Sequence, residues 1–173
     1  TTATMMYGHV ENVRHRALHL KRVRDLQDET GAITEFVPLS FVHENTPLGD
    51  RGVTGASRAE DELVVAVSRL FLDNIENIQS SWVKYGDELG VRMLECGAND
   101  FMGTLLSEEI TKRAGGDHGE FRSFEWYVEE VRGIDRVPVE RSTDYEKRRV
   151  VDGPPYGPKL GPRADGTPLL DGT

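Results

Sequence analysis

Apolar residues along the chain follow two alternating rhythms: short, nearly continuous runs, and longer stretches with an apolar position every three or four residues. The first predicts strands and the second amphipathic helices. Residues 1–7 are β-branched at alternate places and end at the turn residue Gly8, which reads as a strand. Asn12 can cap a helix whose Val13, Ala17, Leu20, Val23 and Leu26 share one face, and Gly31 supplies the left-handed position that ends it. Residues 33–39 read as a second strand, interrupted by Thr34 and Glu35. A long loop over residues 42–55 carries Pro47, Gly49, Gly52 and Gly55, and loops of that length inside a compact domain are often functional.

Ser57 and Glu60 form a capping-box pattern, after which Leu63, Val67, Leu70 and Phe71 are expected to be the buried stripe of the next helix. Residues 75–83 read as a third strand, and Leu89, Met93 and Leu94 mark a shorter helix closed by Gly97. Residues 100–103 leave room for a brief fourth strand. Ser107 is the expected cap of a helix stopped by Gly115 and Gly116, with Glu108 and Glu109 against its positive end. A last helix over residues 123–132 presents Phe124, Tyr127, Val128 and Val131, and a short extended piece follows at 137–140.

Strands separated by helices imply parallel pairing with right-handed crossovers. Either an open doubly wound sheet or an arc of a (β/α)8 barrel fits this order. The glycine-rich phosphate loops that favour the first are absent, so the expectation is an α/β fold forming the second half of a (β/α)8 barrel. Its expected divisions are residues 1–116 as the half-barrel, 117–151 as a helical extension and 152–173 as an extended tail rich in proline and glycine.

Charge and composition narrow the partners. A net charge of -9 argues against nucleic acid, which a basic face would have to bind. The basic cluster Arg14, Arg16, Lys21, Arg22 and Arg24 lies on a helix with its own apolar stripe and reads as a solvated face. The acidic surplus would suit a high-salt cytoplasm. No apolar run approaches the roughly 20 residues of a membrane span and no signal segment opens the chain, so a cytoplasmic location without membrane contact is expected. Cys96, the single cysteine, excludes an internal disulfide and a complete cysteine-ligated cluster, and an inert, buried thiol is expected.

In a parallel barrel the working rim lies at the C-terminal strand ends and their loops. Tyr7, His9 and Glu11 follow the first strand, Phe41, His43, Glu44 and Asn45 the second, Trp82, Lys84 and Tyr85 the third, and Thr104 the fourth. His9 with Glu11 is a poor metal signature and reads as a hydrogen-bonding pair; His15 and His19 have zinc-pair spacing on a helix but no accompanying HExxH glutamate. Phe41 and Trp82 serve packing or ligand stacking equally well. Glu35 inside an apolar strand needs a partner in the lumen. The parity of residues 75–83 leaves open whether Gln79 and Ser81 or Ser80 and Trp82 point inward.

The junctions TTATMMYGHVE (residues 1–11), LQDETG (26–31), TEFVPLSFVHENTPL (34–48), NIQSSWVKYG (77–86) and GANDFMGTLLSEEITKRAG (97–115) resemble the radical S-adenosylmethionine enzymes of deazaflavin and menaquinone biosynthesis, and the CofH-type group in particular. The resemblance implies a 4Fe-4S cluster, S-adenosylmethionine, and a 5'-deoxyadenosyl radical acting on tyrosine. The resulting 4-hydroxybenzyl fragment joins 5-amino-6-(D-ribitylamino)uracil on the way to the chromophore FO, with a CofG-type subunit as functional partner. It also implies His43 and Lys84 as catalytic residues near tyrosine; Tyr7, Glu35, Asn99 and Asp100 as cofactor-binding; and His9, Phe41, Gln79, Ser81, Trp82 and Thr104 as substrate-binding. Three places depart from the group's pattern: Gly31-Ala32 stands for its Gly-Gly, Phe101-Met102 for its Leu-Gly, and the loop between Leu48 and Ser57 is short. The CxxxCxxC that ligates the cluster is not in this sequence, which implies an N-terminal half elsewhere and a chain inactive alone. Futalosine-pathway relatives share the TTATMMYG and GANDF stretches, so a futalosine cyclase or aminofutalosine synthase is the second reading. An inert half-barrel serving as a structural partner is the third.

Overall fold

A computed structural model describes residues 1–105, 107–116, 118–119 and 121–151; the expected tail at 152–173 lies outside them. The chain forms two compact units, Thr1–Arg122 and a second that opens at Ser123.

The first unit is built on four parallel strands in the order β1-β2-β3-β4: β1 (Thr2–Tyr7), β2 (Glu35–Ser40), β3 (Asn77–Ser80) and β4 (Asp100–Phe101). Sequential order with a helix between each pair is the α/β pattern read from the sequence. α1 (Val13–Thr30) starts on a capping box in which the Asn12 side chain accepts the His15 N–H and the His15 side chain accepts the Asn12 N–H. It ends on Gly31 at φ 60, the left-handed conformation a glycine adopts without strain. α2 (Arg58–Phe71) starts on the Ser57–Glu60 capping box. α3 (Trp82–Tyr85) and α4 (Asp87–Cys96) follow β3, and α5 (Glu109–Arg113) follows β4.

Three local expectations are corrected. The third strand stops at Ser80, and Trp82–Tyr85 turns into helix: Lys84 and Tyr85 N–H both donate to the Ser81 carbonyl. Glu108, not Ser107, caps α5, its carboxylate accepting the Thr111 N–H. On α2 the buried residues are Asp61, Val64, Val65 and Ser68, whereas Leu63 and Leu70 are 61% and 82% exposed. Both stripes have helical spacing. The slimmer, β-branched one faces the sheet, and the bulkier one, Leu63, Val67, Leu70 and Phe71, faces out.

The core lies between the sheet and its helices and holds Met5, Tyr7, Phe36, Ile78, Val65, Leu72, Met93 and Trp82. Trp82 is fully buried; its indole N–H donates 2.9 Å to the Met102 carbonyl and the Arg122 guanidinium sits 4.6 Å above its ring. A side chain at Gly90 would bring its Cβ within 2.9 Å of the Trp82 Cβ, so α4 packs against the indole at the one spacing a glycine permits. Arg69 ties α2 to the strand starts, donating 2.7 Å to the Gly97 carbonyl, 3.1 Å to that of Glu76 and 2.7 Å to Asn99 Oδ1.

The second unit contains α6 (Phe124–Gly133), capped by Ser123, and an antiparallel hairpin of β5 (Val139–Arg141) and β6 (Lys147–Val150). Its buried apolar residues are Val128 and Val151. The charged run of β6 carries no apolar alternation, which hid it as a strand. No described helix is long and apolar enough to cross a membrane.

Candidate functional site

Parallel register fixes which residues share a face. Thr2 pairs with Glu35, Glu35 with Asn77, and Gln79 with Asp100. Paired residues of a parallel sheet point the same way, so Thr2, Glu35, Gln79 and Asp100 line one face across all four strands. Their side chains meet there. Thr2 Oγ1 donates 2.6 Å to one Glu35 oxygen, and Gln79 Nε2 donates 3.0 Å to the other and 2.7 Å to Asp100 Oδ2. One step further along the strands Ser81 Oγ donates 3.6 Å to Met102 Sδ, and Met6, 55% exposed, lies on the same face. The parity left open by the sequence is thereby resolved: Gln79 and Ser81 look away from the helices, while Ser80 donates 2.7 Å to the Gly90 carbonyl on the helix side.

Tyr7 is on the opposite face, buried completely. Its hydroxyl donates 2.6 Å to Asp61 Oδ1 and lies 3.0 Å from the Tyr85 hydroxyl, which donates 3.1 Å to the Pro38 carbonyl. Burial, with the neighbouring Tyr85 and Asp61, pushes the Tyr7 phenol far up, and burial also raises Tyr85. Asp61 is itself raised by burial, against hydrogen bonds from Tyr7 and Ser40 that favour its charged form. The native state therefore retains the Asp61 proton to higher pH than the unfolded chain. Stability from this group is complete below the unfolded carboxylate pKa and is lost as pH rises through the raised native one. We expect Asp61→Asn to remove that component: unfolding midpoints of wild type and variant, followed from about pH 4 to about pH 8, should converge or cross as pH rises. A constant offset at every pH would refute it.

The rim residues form a second group. Glu11 accepts 2.7 Å from Gly8 N–H, 2.9 Å from His9 N–H and 2.7 Å from Arg16 Nε. Although burial pushes its carboxyl up, those backbone bonds and the guanidinium outweigh it and hold the pKa at about 2. Gly8 has φ 85, and a Cβ there would lie 2.6 Å from the Ala56 nitrogen, so this turn closes directly onto the segment leading into α2. His9 accepts the Val10 N–H at its Nδ1 and meets the Phe41 ring edge-on at 5.9 Å. His43 is fixed from behind, its carbonyl accepting Thr46 Oγ1 at 2.9 Å and its N–H donating 3.1 Å to Glu44. Lys84 donates 2.6 Å to Thr111 on α5, and burial lowers its pKa against the opposing pull of Glu108. The Asn45 N–H donates 2.9 Å to the Ala114 carbonyl, joining the loop after β2 to the end of α5.

The structure thus brings together Glu35, Gln79 and Asp100, and separately His9 with Phe41. Trp82 packs in the core, and Thr104 Oγ1 donates to the Arg122 carbonyl. Asn99 stands at the start of β4, away from the C-terminal rim, its carbonyl taken by Arg69 and Ile78 N–H and its amide by the Glu76 carbonyl. We expect Asn99→Ala in the full-length protein to cost about 1–3 kcal/mol of stability by orphaning those donors. The KM for each substrate should stay at the wild-type value, and a raised KM with unchanged stability would give Asn99 a binding role instead. Asp61 and Thr111 escaped the sequence reading, and Tyr85, expected on the rim, lies with Tyr7 on the helix side; the signal for Asp61 was its place on the Val64, Val65 and Ser68 face.

Iron-sulfur clusters are held by several thiolates, and Cys96 is the single cysteine, on α4, with burial raising its thiol pKa. The residues present do not fit such a cluster. Among the described residues no group of three or more His, Cys, Asp or Glu is placed to hold a metal ion. His15 serves its helix cap, and His19 Nε2 lies 3.0 Å from the Thr4 carbonyl.

The chain is 72% identical over 98% of its length to the 5-amino-6-(D-ribitylamino)uracil–L-tyrosine 4-hydroxyphenyl transferase of Haloarcula marismortui, covering 39% of that protein. It is 67% identical over 98% of its length to the enzyme of the same name from Halobacterium salinarum, covering 38% of it. A Methanococcus maripaludis enzyme of that name is 52% identical over 84% of the chain and covered to 42%. The chain therefore spans about two fifths of the length of the curated relatives it matches. Residues 29–153 match the family model described as the CofH/MqnC C-terminal region, and the chain belongs to that family.

Proposed function

We propose that this chain is the substrate-facing part of a radical S-adenosylmethionine enzyme that transfers the 4-hydroxybenzyl group of tyrosine to 5-amino-6-(D-ribitylamino)uracil in FO biosynthesis. The observation that carries the reading is the polar row Thr2, Glu35, Gln79 and Asp100 on the sheet face away from the helices, in a chain 72% identical to a transferase named for those two substrates. Two carboxylates held apart by an amide offer acceptors for the hydroxyls and ring N–H groups in which a ribitylaminouracil is rich.

In this reading the four strands form an arc of a (β/α)8 barrel whose remaining strands close over the row. Residues 1–116 belong to the barrel and 117–151 to a C-terminal extension. A 4Fe-4S cluster, ligated from outside these residues, with S-adenosylmethionine supplies the radical that starts the reaction. The chain's own part is to bind and orient. Glu35, Gln79 and Asp100 hold polar ligand groups, His9 and Phe41 border the opening, and His43 and Lys84 stand near tyrosine. The enzyme works in the cytoplasm alongside a CofG-type subunit.

Full-length enzyme, reconstituted with cluster and S-adenosylmethionine, should convert tyrosine only when 5-amino-6-(D-ribitylamino)uracil is also supplied. Turnover of futalosine-route precursors in its place would assign the chain to the menaquinone branch.

A further inference from the structure

Lys84 stands on α3 immediately beyond the end of β3, half-buried beneath α5. Its ammonium donates 2.6 Å to the Thr111 hydroxyl. That hydroxyl donates 3.0 Å to Glu108, which also accepts the Thr111 N–H at 2.9 Å. Thr111 is 2% exposed, so the anchor is a fixed, buried, neutral group. Among the described residues no carboxylate lies at ion-pair distance from Lys84, and two of its three N–H donors have no partner.

Exposed cations such as Lys21, Arg58 and Arg92 are matched with carboxylates, and the part-buried Arg69, which is not, spends its donors on backbone carbonyls and Asn99, whereas Lys84 makes one bond to a hydroxyl. Taking an ammonium partly out of water without a directly paired anion is unfavourable; Glu108 favours the charge electrostatically, but its link to Lys84 runs through the Thr111 hydroxyl, which leaves the nitrogen's remaining donors open. The Asn45–Ala114 bond holds the covering helix against the loop after β2. A cation held ready in this way suits an anionic ligand group. Of the molecules in the proposed reaction, the diaminouracil is neutral, whereas tyrosine and the methionyl end of S-adenosylmethionine each carry an α-carboxylate.

We propose that Lys84 is the cation that receives the α-carboxylate of an amino-acid ligand, with Thr111 and Glu108 as the positioning residues that hold it there. The assignment rests on the transferase reading. It is tested in the reconstituted full-length enzyme with Lys84→Met and Lys84→Arg, by calorimetric binding of tyrosine and tyramine, and of S-adenosylmethionine and its decarboxylated form. Loss of a charge-assisted hydrogen bond predicts that Lys84→Met binds one of the two amino acids about tenfold to a hundredfold more weakly. The matching decarboxylated compound should bind as tightly as to wild type, and Lys84→Arg should recover most of the loss. Which amino acid responds identifies the ligand. Wild-type affinity of Lys84→Met for both, or an equal loss for the decarboxylated compound, would overturn the assignment. Failure of the wild-type enzyme to turn over tyrosine with the diaminouracil is a separate outcome, which overturns the transferase reading and this assignment with it.

Discussion

Trp82→Ala should destabilise the full-length protein by about 3–5 kcal/mol, the range for truncating a buried aromatic residue in a core that collapses only partly. The indole is fully buried, and Gly90 approaches it so closely that α4 has little freedom to move in and fill the void differently. The truncation also orphans the Met102 carbonyl and removes the surface beneath the Arg122 guanidinium, which is held on its other side by Asp87 at 2.9 Å. Urea unfolding measures the loss. Trp82→Phe separates the contributions, since it keeps most of the packing and forfeits the N–H bond, at about 1–2 kcal/mol. A loss below about 1 kcal/mol for the alanine variant would show that the ring is not part of the core.

Glu35→Gln should reduce product formation by about tenfold to a hundredfold, the equivalent of one or two charge-assisted hydrogen bonds, while leaving the thermal midpoint close to wild type. Glu35 is the member of the polar row that both Thr2 and Gln79 address, one at each oxygen. An amide there has one acceptor oxygen: turned toward Gln79 it places its NH2 on Thr2 Oγ1, which must then accept, and the row loses the negative charge and second acceptor that the carboxylate offers a ligand. Single-turnover assays of the reconstituted enzyme give the rate, and differential scanning calorimetry gives the fold. Unchanged turnover would remove Glu35 from the site.

Much of the strand and helix order was legible because each element carries its own local signal. The capping boxes at Asn12 and Ser57 and the left-handed Gly31 are chain-local features, and each appears as the residues imply. What was not legible depends on layers that meet only in three dimensions. α2 has two stripes of equal spacing, and the one that turns inward, Asp61, Val64, Val65 and Ser68, is the less hydrophobic of the two and includes the carboxyl that meets Tyr7. Residues 75–83 carry Ile75 and Ile78 at one end and Trp82 and Val83 at the other, so they read as one strand. Trp82–Tyr85 nevertheless coils into helix, where the indole reaches the Met102 carbonyl and the Tyr85 hydroxyl reaches Tyr7 and the Pro38 carbonyl. The site was legible in part for the same reason. Glu35 stood out because an acidic residue in an apolar strand demands a partner, yet the identity of that partner, Gln79, required the register. Tyr7 and Asn99 read as chemistry from their neighbours in sequence; the structure gives the first to the helix layer and the second to the strand starts.

The Tyr7 hydroxyl reaches partners 54 and 78 residues away along the chain. Contacts of such span form only after the loops between them have closed, and loop closure is what limits the folding speed of parallel α/β chains. The Tyr7 hydroxyl therefore joins the segments whose meeting costs most in loop-closure entropy, and the turn at Gly8 and His9, closed by local bonds to Glu11, begins at the next residue.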